Sequence, residues 1–183
     1  MKTAPPQNTS EPPFPPARKD VLMKPNDAPR IIVSACLAGI PCRYDGRANT
    51  CMAVADMVRR GLAVPVCPEG LADLPTPRPP CELSGDRVLR HDGADLTEAF
   101  IRGAQRALDL ALRHGCRQAI VKSRSPSCGA GRIYDGSFTK RLRDGDGLWV
   151  RLLRLHGIRV VTEEIFRERQ EENKNNNLFT HLK

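Results

Sequence analysis

The sequence predicts a three-layer α/β domain, Rossmann-like in architecture, with a mainly parallel central sheet. Two observations support this prediction. Short apolar runs alternate along the chain with longer stretches whose apolar residues recur at helical spacing. Glycines follow those helical stretches, where helices commonly end. Strands that alternate with helices pair in parallel, and the helices then cover both faces of the sheet.

Four apolar runs are the predicted strands. They are short and rich in β-branched residues, which is typical of buried strands. In chain order they are residues 31–33, 62–66, 119–121 and 158–161.

Three helices are predicted between these strands, at residues 51–61, 95–115 and 148–156. The second has the clearest pattern, with Asp95 as a candidate N-cap. Its apolar stripe consists of Phe100, Ala104, Ala107, Leu108 and Ala111. A helix with one apolar stripe packs that stripe against the sheet.

The chain length of 183 residues suits a single domain, which we place at residues 29–166. Residues 1–28 are rich in proline and are expected to form a disordered arm. Residues 167–183 are expected to form a charged tail, partly helical or disordered. No apolar run approaches the roughly 20 residues of a membrane span, and the amino terminus lacks a secretory h-region. We therefore expect a cytoplasmic protein without a membrane partner.

The net charge is +8, from 29 Lys and Arg against 21 Asp and Glu. A basic domain attracts anionic partners, such as a phosphate group or a nucleic acid. A solvated, arginine-rich surface accounts for the same composition. Charge alone leaves both interpretations open.

Seven cysteines are present, an odd number. In a reducing compartment, cysteines more often bind metals or perform catalysis than form disulfides. Cys36, Cys67 and Cys128 each follow a predicted strand, and the carboxyl ends of parallel strands meet at one edge of a sheet. None belongs to the closely spaced pair that a zinc finger requires. The spacing is compatible with an iron–sulfur cluster or with a catalytic thiol, and Cys42 is an alternative ligand.

Six short motifs, in this order, resemble those of the TudS-type thiouracil desulfidases. They extend over nearly all of the predicted domain, which makes the resemblance more specific than any single motif. The motifs are Ser-Ala-Cys-Leu-Ala-Gly at 34–39, Arg-Tyr-Asp-Gly at 43–46, Cys-Pro-Glu at 67–69, Pro-Arg-Pro at 77–79, Ser-Pro-Ser-Cys-Gly at 125–129 and Tyr-Asp-Gly at 134–136.

The resemblance implies a 4Fe–4S cluster held by Cys36, Cys67 and Cys128, with one iron not ligated by protein. It also implies that Glu69 and Ser125 are catalytic. The chain departs from the family pattern at Cys81, where alanine is common, and at residues 70–73, where a Gly-Gly pair is usual. The second departure adjoins Glu69 and so concerns substrate choice more than cluster binding.

The residue types suit this chemistry. An iron with an open position is a soft Lewis acid, and thiocarbonyl sulfur is a soft donor. Glu69 lies two residues after Cys67 and is a candidate general base for attack by water. Helix capping or an ion pair would explain the same carboxylate. Ser125 is a candidate for ring binding or proton relay, although Ser-Pro sequences also form turns.

The candidate substrate ligands are Arg43, Tyr44, Asp45 and Arg78. Tyr44 is suited to stacking on a base and an arginine to pairing with a phosphate. A tight turn at Asp45-Gly46 is the alternative for the first three, and an ion pair with Glu82 is the alternative for Arg78.

The predicted function is non-redox, cluster-dependent desulfuration of thiolated uracil to uracil and hydrosulfide, with 4-thiouracil, its nucleoside or its nucleotide as substrate. The competing hypothesis is a non-catalytic iron–sulfur module with a binding or sensory role, associated with RNA or a partner enzyme. A metal-free cysteine hydrolase is disfavoured, because no histidine lies near a cysteine motif.

Overall fold

The computed structural model describes residues 31–180, with side chains up to residue 173. The predicted arm at residues 1–28 lies outside this range. The strands are β1 Ile31–Ser34, β2 Ala63–Val66, β3 Cys81–Ser84, β4 Arg87–Arg90, β5 Gln118–Val121, β6 Arg132–Tyr134, β7 Leu142–Asp144 and β8 Arg159–Thr162. The helices are α1 Met52–Arg59, α2 Pro68–Leu71, α3 Thr97–Arg113, α4 Leu148–Leu155 and α5 Glu163–Thr180, with a 3-10 helix at Ala35–Ala38.

The central sheet has four parallel strands in the order β2-β1-β5-β8. Ile32 of β1 is in register with Val64 on one side and with Ala119 on the other. This confirms the predicted parallel sheet and its strands. The chain leaves β1 toward β2 and later returns to β5 on the opposite side. The strand order therefore reverses between β1 and β5, where open α/β sheets bind their ligands.

Helices cover both faces of this sheet and make it the middle layer. Successive residues of a strand point to opposite faces, so Ile32 packs on one side and Val33 on the other. The first face packs against α3 and α4, around the fully buried Trp149. The second face packs against α1, the 3-10 helix and the start of α5. Two apolar clusters thus hold the strands in place.

The predicted helix boundaries agree closely with α1, α3 and α4. Asp95 precedes the N-cap position of α3, which is Leu96. Its carboxylate nevertheless accepts a hydrogen bond of 2.9 Å from the backbone N–H of Thr97. The predicted end of this helix is confirmed by Gly115, whose φ of 61° is in the left-handed region that glycine adopts without strain.

Two antiparallel hairpins, β3–β4 and β6–β7, lie outside the central sheet and were not predicted. Both contribute to a third apolar cluster, formed by Leu83, Val88, Phe100 and Ile133. Phe100 belongs to α3, so the hairpins pack on the amino-terminal end of that helix. They extend the domain beyond the carboxyl edge of the sheet.

The helix that ends the described chain begins earlier than the predicted tail. α5 starts at Glu163, which is 2% exposed, and Phe166 packs against the second apolar cluster. The first turn of α5 is thus part of the folded domain. Across the described range, no helix has both the length and the apolar character needed to cross a bilayer.

Candidate functional site

A cavity of about 420 Å³ opens at the carboxyl edge of the sheet. One wall is formed by the loops after β1, β2 and β5, which we call the thiol side because Cys36, Cys67 and Cys128 lie there. The other wall is formed by the two hairpins, which we call the hairpin side. Its cavity-lining residues are Cys81, Glu82, His91, Tyr134, Phe138 and Lys140.

The three predicted ligands reach this cavity from three different loops. Cys36 lies in the 3-10 helix after β1, Cys67 is the N-cap of α2 after β2, and Cys128 follows β5. Each is between 7% and 9% exposed, and no disulfide joins the seven cysteines, all of which lie in the described range. The fold therefore brings together the three sulfur donors that the sequence singled out.

Cys42 is a fourth thiol in the same cavity, in contact with two of these three. A hydrogen bond with Cys36 and burial raise the pKa of Cys42 to about 12, although a hydrogen bond with Cys67 opposes the shift. The Cys67 thiol also lies 3.8 Å from the carbonyl oxygen of Cys42. Cys42 is therefore close enough to affect whatever the other thiols bind.

Burial and thiol–thiol contacts keep the thiols of this cavity protonated when no metal is bound. A hydrogen bond with Cys42, together with burial, raises the pKa of Cys67 well above its usual range. Burial does the same to Cys128. Without a cation these thiols stay protonated, and metal binding would release their protons. The backbone N–H of Gly70 points at the Cys67 sulfur across 3.4 Å, as donors do around cluster ligands.

The donor set also distinguishes between kinds of metal centre. Thiols alone are soft ligands, which suit iron–sulfur clusters. Among the residues that the structure describes, no three His, Cys, Asp or Glu side chains are grouped as a single ion requires. A cube of four irons is larger than one ion and holds its ligands further apart. Three thiols from separate loops on one cavity are a donor set that an iron–sulfur cluster can use.

Glu69 lies on α2, a single turn that α3 supports from behind. Gly103 of α3 has no room for a side chain, because a Cβ there would overlap the carbonyl oxygen of Pro68. The side chain of Glu69 is 14% exposed and lines the cavity. Its Oε2 pairs with Arg78, and among the described residues its Oε1 accepts one long hydrogen bond, of 3.3 Å, from Ser127. Oε1 is thus the less engaged oxygen.

Arg78 is fully engaged by protein acceptors. Its Nε and one terminal nitrogen donate to Glu69, and that nitrogen also donates to the carbonyl of Cys42. The other terminal nitrogen donates to Pro75 and Thr76. A guanidinium has five N–H groups, and all five have partners here. Arg78 therefore holds Glu69 and has no donor left for a substrate.

Ser125 forms the turn that presents Cys128. Its hydroxyl oxygen accepts hydrogen bonds of 3.1 Å from the backbone N–H groups of Ser127 and Cys128. Gly129 completes the turn, since a Cβ there would lie 2.6 Å from the Ser125 carbonyl oxygen. Within the described residues the Ser125 hydroxyl donates to no protein acceptor. Turn formation and a role toward substrate are therefore compatible.

The loop after the 3-10 helix places two of its three candidates in the cavity. Arg43 and Tyr44 line it, whereas Asp45 does not. Asp45 instead forms a two-point ion pair with Arg43, at 3.1 and 3.0 Å. Asn49 is the other acceptor for Arg43, at 3.4 Å. Two N–H groups of Arg43 thus have no acceptor among the described residues and stay available to a ligand, and Asp45 fixes the orientation of the guanidinium.

An ion pair at the end of β5 ties the Cys128 loop to α5. Lys122 donates to Glu163 across 2.9 Å and to the carbonyl and hydroxyl of Ser123. Glu163 also accepts from the backbone N–H and the hydroxyl of Ser123, at 2.7 and 2.9 Å. Burial would raise the pKa of Glu163, but the hydrogen bond and charge of Lys122 hold it below its usual value.

The contributions of the hairpin side to the cavity were not predicted from the sequence. Glu82, His91 and Phe138 all line the cavity. The turn between β3 and β4 does carry a signal, because Gly85-Asp86 is a dipeptide typical of two-residue hairpin turns. Asp135-Gly136 begins the seven-residue loop between β6 and β7 and is a weaker signal. The strands around them are only three or four residues long and contain several arginines, so their apolar alternation is weak.

Comparison with known proteins gives three consistent matches. The model of a family described as 2-thiouracil desulfurase matches residues 31–165. An uncharacterised protein of Bacillus subtilis strain 168, YbbK, is 36% identical over 143 residues, which cover 73% of this chain and 95% of that protein. The solved structure of the 4Fe–4S-dependent thiouracil desulfidase TudS is similar with a TM-score of 0.72 at 46% identity. This match covers 76% of the present chain and 93% of the other.

Proposed function

This chain belongs to the 2-thiouracil desulfurase family, and from that membership we propose that it removes sulfur from thiolated uracil to give uracil and hydrosulfide. The observation that carries the proposal is that the thiols of Cys36, Cys67 and Cys128 and the carboxylate of Glu69 meet at one cavity. This cavity lies at the edge of the sheet where the strand order reverses. The substrate class is 4-thiouracil, its nucleoside or its nucleotide. Cysteines that bind a metal centre are typical of a reducing compartment, and we place the protein in the cytoplasm.

Cys36, Cys67 and Cys128 are the residues that would hold a 4Fe–4S cluster, as the similar TudS protein is described to depend on one. With three protein ligands, the cluster would supply one iron with an open position, a soft Lewis acid that binds thiocarbonyl sulfur and polarises the carbon–sulfur bond.

The desulfuration is a substitution without net oxidation. The oxygen of water forms a bond with the ring carbon, and the carbon–sulfur bond breaks with its electron pair remaining on sulfur. The products are the carbonyl of uracil and hydrosulfide. The reaction therefore needs a base for the protons of water and needs no external electron donor.

Glu69 is the base in this proposal. Its Oε1 is the oxygen free to accept a proton, because Arg78 occupies Oε2. The role of Arg78 is to hold this carboxylate in place, which replaces the direct contact with substrate expected from the sequence. Ser125 has a hydroxyl hydrogen available for the substrate or for a proton relay.

Arg43 and Tyr44 remain the candidates for substrate contact on the thiol side. The two free N–H groups of Arg43 suit a substrate oxygen or an attached phosphate. Asp45 acts through Arg43 in this assignment. Tyr44 is 43% exposed at the mouth of the cavity, and Arg43 lies 5.8 Å from its ring centroid.

The first test is anaerobic reconstitution with iron and sulfide, followed by turnover of 4-thiouracil, 4-thiouridine and 4-thiouridine monophosphate. We expect about four irons per chain and equal amounts of uracil-type product and hydrosulfide. Bound iron with no turnover on any of the three compounds or on 2-thiouracil would overturn the desulfidase proposal and favour the binding or sensory module.

Replacing Glu69 by Gln tests the role of the base. We expect kcat to fall by about 10²- to 10⁴-fold while the iron content stays unchanged. Asp144→Asn is the control, because the Asp144 side chain is 96% exposed, does not line the cavity and pairs with Arg132 on the neighbouring strand. Wild-type kcat in Glu69→Gln would exclude this carboxylate as the base.

A further inference from the structure

The loop between β6 and β7 contains two strained residues at the edge of the cavity. Phe138 has a φ of 58° and Lys140 a φ of 63°, in the left-handed region that residues with side chains rarely adopt. Such conformations persist only where the surrounding structure holds them, and they concentrate at ligand-binding sites. The strain therefore raises the question of what fixes this loop and what it presents.

A buried carboxylate from the neighbouring hairpin fixes the loop. Oε2 of Glu82, a residue 8% exposed, accepts hydrogen bonds of 3.0 Å from the backbone N–H groups of Gly136 and Phe138. Gly136 also lies directly against β3, since a Cβ there would be 2.7 Å from Ser84. These contacts determine the backbone on both sides of residue 137 and so set the direction of the Phe138 side chain.

The ring of Phe138 lines the cavity and is supported by one histidine. The His91 ring lies 5.1 Å from it, centroid to centroid, at an interplanar angle of 84°. An edge-to-face contact covers at most one face of an aromatic ring. Phe138 is neither fully buried nor exposed, so its ring is available to a molecule in the cavity.

We propose that Phe138 is the stacking platform for the pyrimidine ring of the substrate, with Glu82 and His91 as its positioning residues. The proposal rests on the function proposed above and identifies how that site recognises a planar heterocycle. Stacking uses the π face that all pyrimidines have, so it holds the ring whether or not sulfur is present. The residues of the thiol side then act on the sulfur substituent, while Phe138 of the hairpin side holds the ring.

Steady-state kinetics of the iron-loaded enzyme provide the first test. Phe138→Leu keeps an apolar side chain without a ring and should raise KM about tenfold, as expected for the loss of one stacked base, with a smaller change in kcat. Phe138→Tyr restores the ring and should return KM to within about twofold of wild type. Wild-type KM in Phe138→Leu, with wild-type resistance to urea, would overturn the proposal.

Fluorescence of Phe138→Trp provides a readout independent of turnover. The wild-type chain has one tryptophan, the buried Trp149, so the new indole reports on the cavity. Uracil, which has no sulfur to remove, should quench it saturably. The matched control is Leu155→Trp, because Leu155 is 79% exposed on α4 and does not line the cavity. The absence of quenching in Phe138→Trp would contradict stacking.

The two readouts separate this inference from the proposed function. Saturable quenching by uracil, with no turnover of any thiolated pyrimidine by wild type, would support the platform and defeat the desulfidase proposal. Turnover by wild type, with unchanged KM in Phe138→Leu and no quenching in Phe138→Trp, would defeat the platform alone.

Discussion

The loops that carry the three thiols and the hairpins that face them are attached to the domain in different ways. The thiol side continues directly from β1, β2 and β5, whose side chains are buried on both faces of the sheet. The hairpin side rests on a smaller apolar cluster and on one buried carboxylate, Glu82. The difference suggests a division of labour, in which the sheet holds the reactive groups and the hairpins hold the ring.

The most severe test of this division removes the thiols. We expect Cys36→Ala, Cys67→Ala and Cys128→Ala each to lose nearly all iron and all activity, because each removes a thiolate ligand. Iron and sulfide quantification under anaerobic conditions measures this loss. Cys116→Ala is the control, since Cys116 is a buried thiol at the opposite edge of the sheet, before β5.

Replacing Cys42 provides a further test of which cysteines bind the iron. In our assignment Cys42 contacts Cys36 and Cys67 without binding iron, so Cys42→Ala should keep most of the iron. Loss of iron from Cys42→Ala, with iron retained in one of the other three variants, would show that the ligand set is wrong.

A smaller effect is expected from the ion pair between Lys122 and Glu163, which connects the thiol side to α5. Glu163→Gln leaves Lys122 without its anionic partner and weakens two hydrogen bonds to Ser123, and we expect a loss of about 1–3 kcal/mol in the free energy of unfolding. The pKa of Glu163 is below its usual 4.5 in the folded protein. Its contribution is therefore present above about pH 4.5 and declines as the pH falls further.

Urea unfolding at neutral pH and at acid pH checks both statements. The gap between wild type and Glu163→Gln should be widest at neutral pH and should narrow below pH 4.5. Glu164→Gln is the control, because its ion pair with Arg124 is about half exposed and should contribute less than about 1 kcal/mol. A gap of constant size across this pH range would argue against the ion pair as its origin.

The smallest effect should come from the hairpin side. Glu82→Ala leaves two backbone N–H groups of the strained loop without their acceptor, so we expect a several-fold rise in KM at unchanged iron content. Kinetics and iron analysis of the same preparation measure both quantities. Glu82→Gln, which can still accept, should lie between Glu82→Ala and wild type. Iron loss in Glu82→Ala would mean that the two sides are not separable.

The thiol side and the hairpin side also differ in how well the sequence predicts them. The strands of the central sheet are buried on both faces, so they appear as apolar runs, and the three cysteines that follow them could be placed at one edge by a general rule of parallel sheets. The hairpin strands are short and partly exposed. Only Gly85-Asp86 in the turn of the first hairpin and Asp135-Gly136 at the start of the second hairpin's loop mark them. Nothing local indicates that Glu82 binds the backbone at Phe138.

Individual side-chain partners were the least predictable part of the site. Arg78 lies nine residues after Glu69, beyond the short α2 helix, so no helical or strand spacing relates the two. The expectation of a substrate ligand was reasonable for an arginine between prolines, yet all five of its donors are used within the protein. Hydrogen-bond saturation is a property of the folded arrangement.

The missing side chain at Gly103 has a mechanical consequence. A four-residue helix such as α2 cannot sustain its own geometry in water, yet it carries both Cys67 and Glu69. The backbone of α2 packs directly against Gly103, so α3, a helix of 17 residues, supports that turn. Any shift of α3 would therefore move the Cys67 thiol and the Glu69 carboxylate together. The distance between ligand and base would stay the same while the other loops around the cavity move.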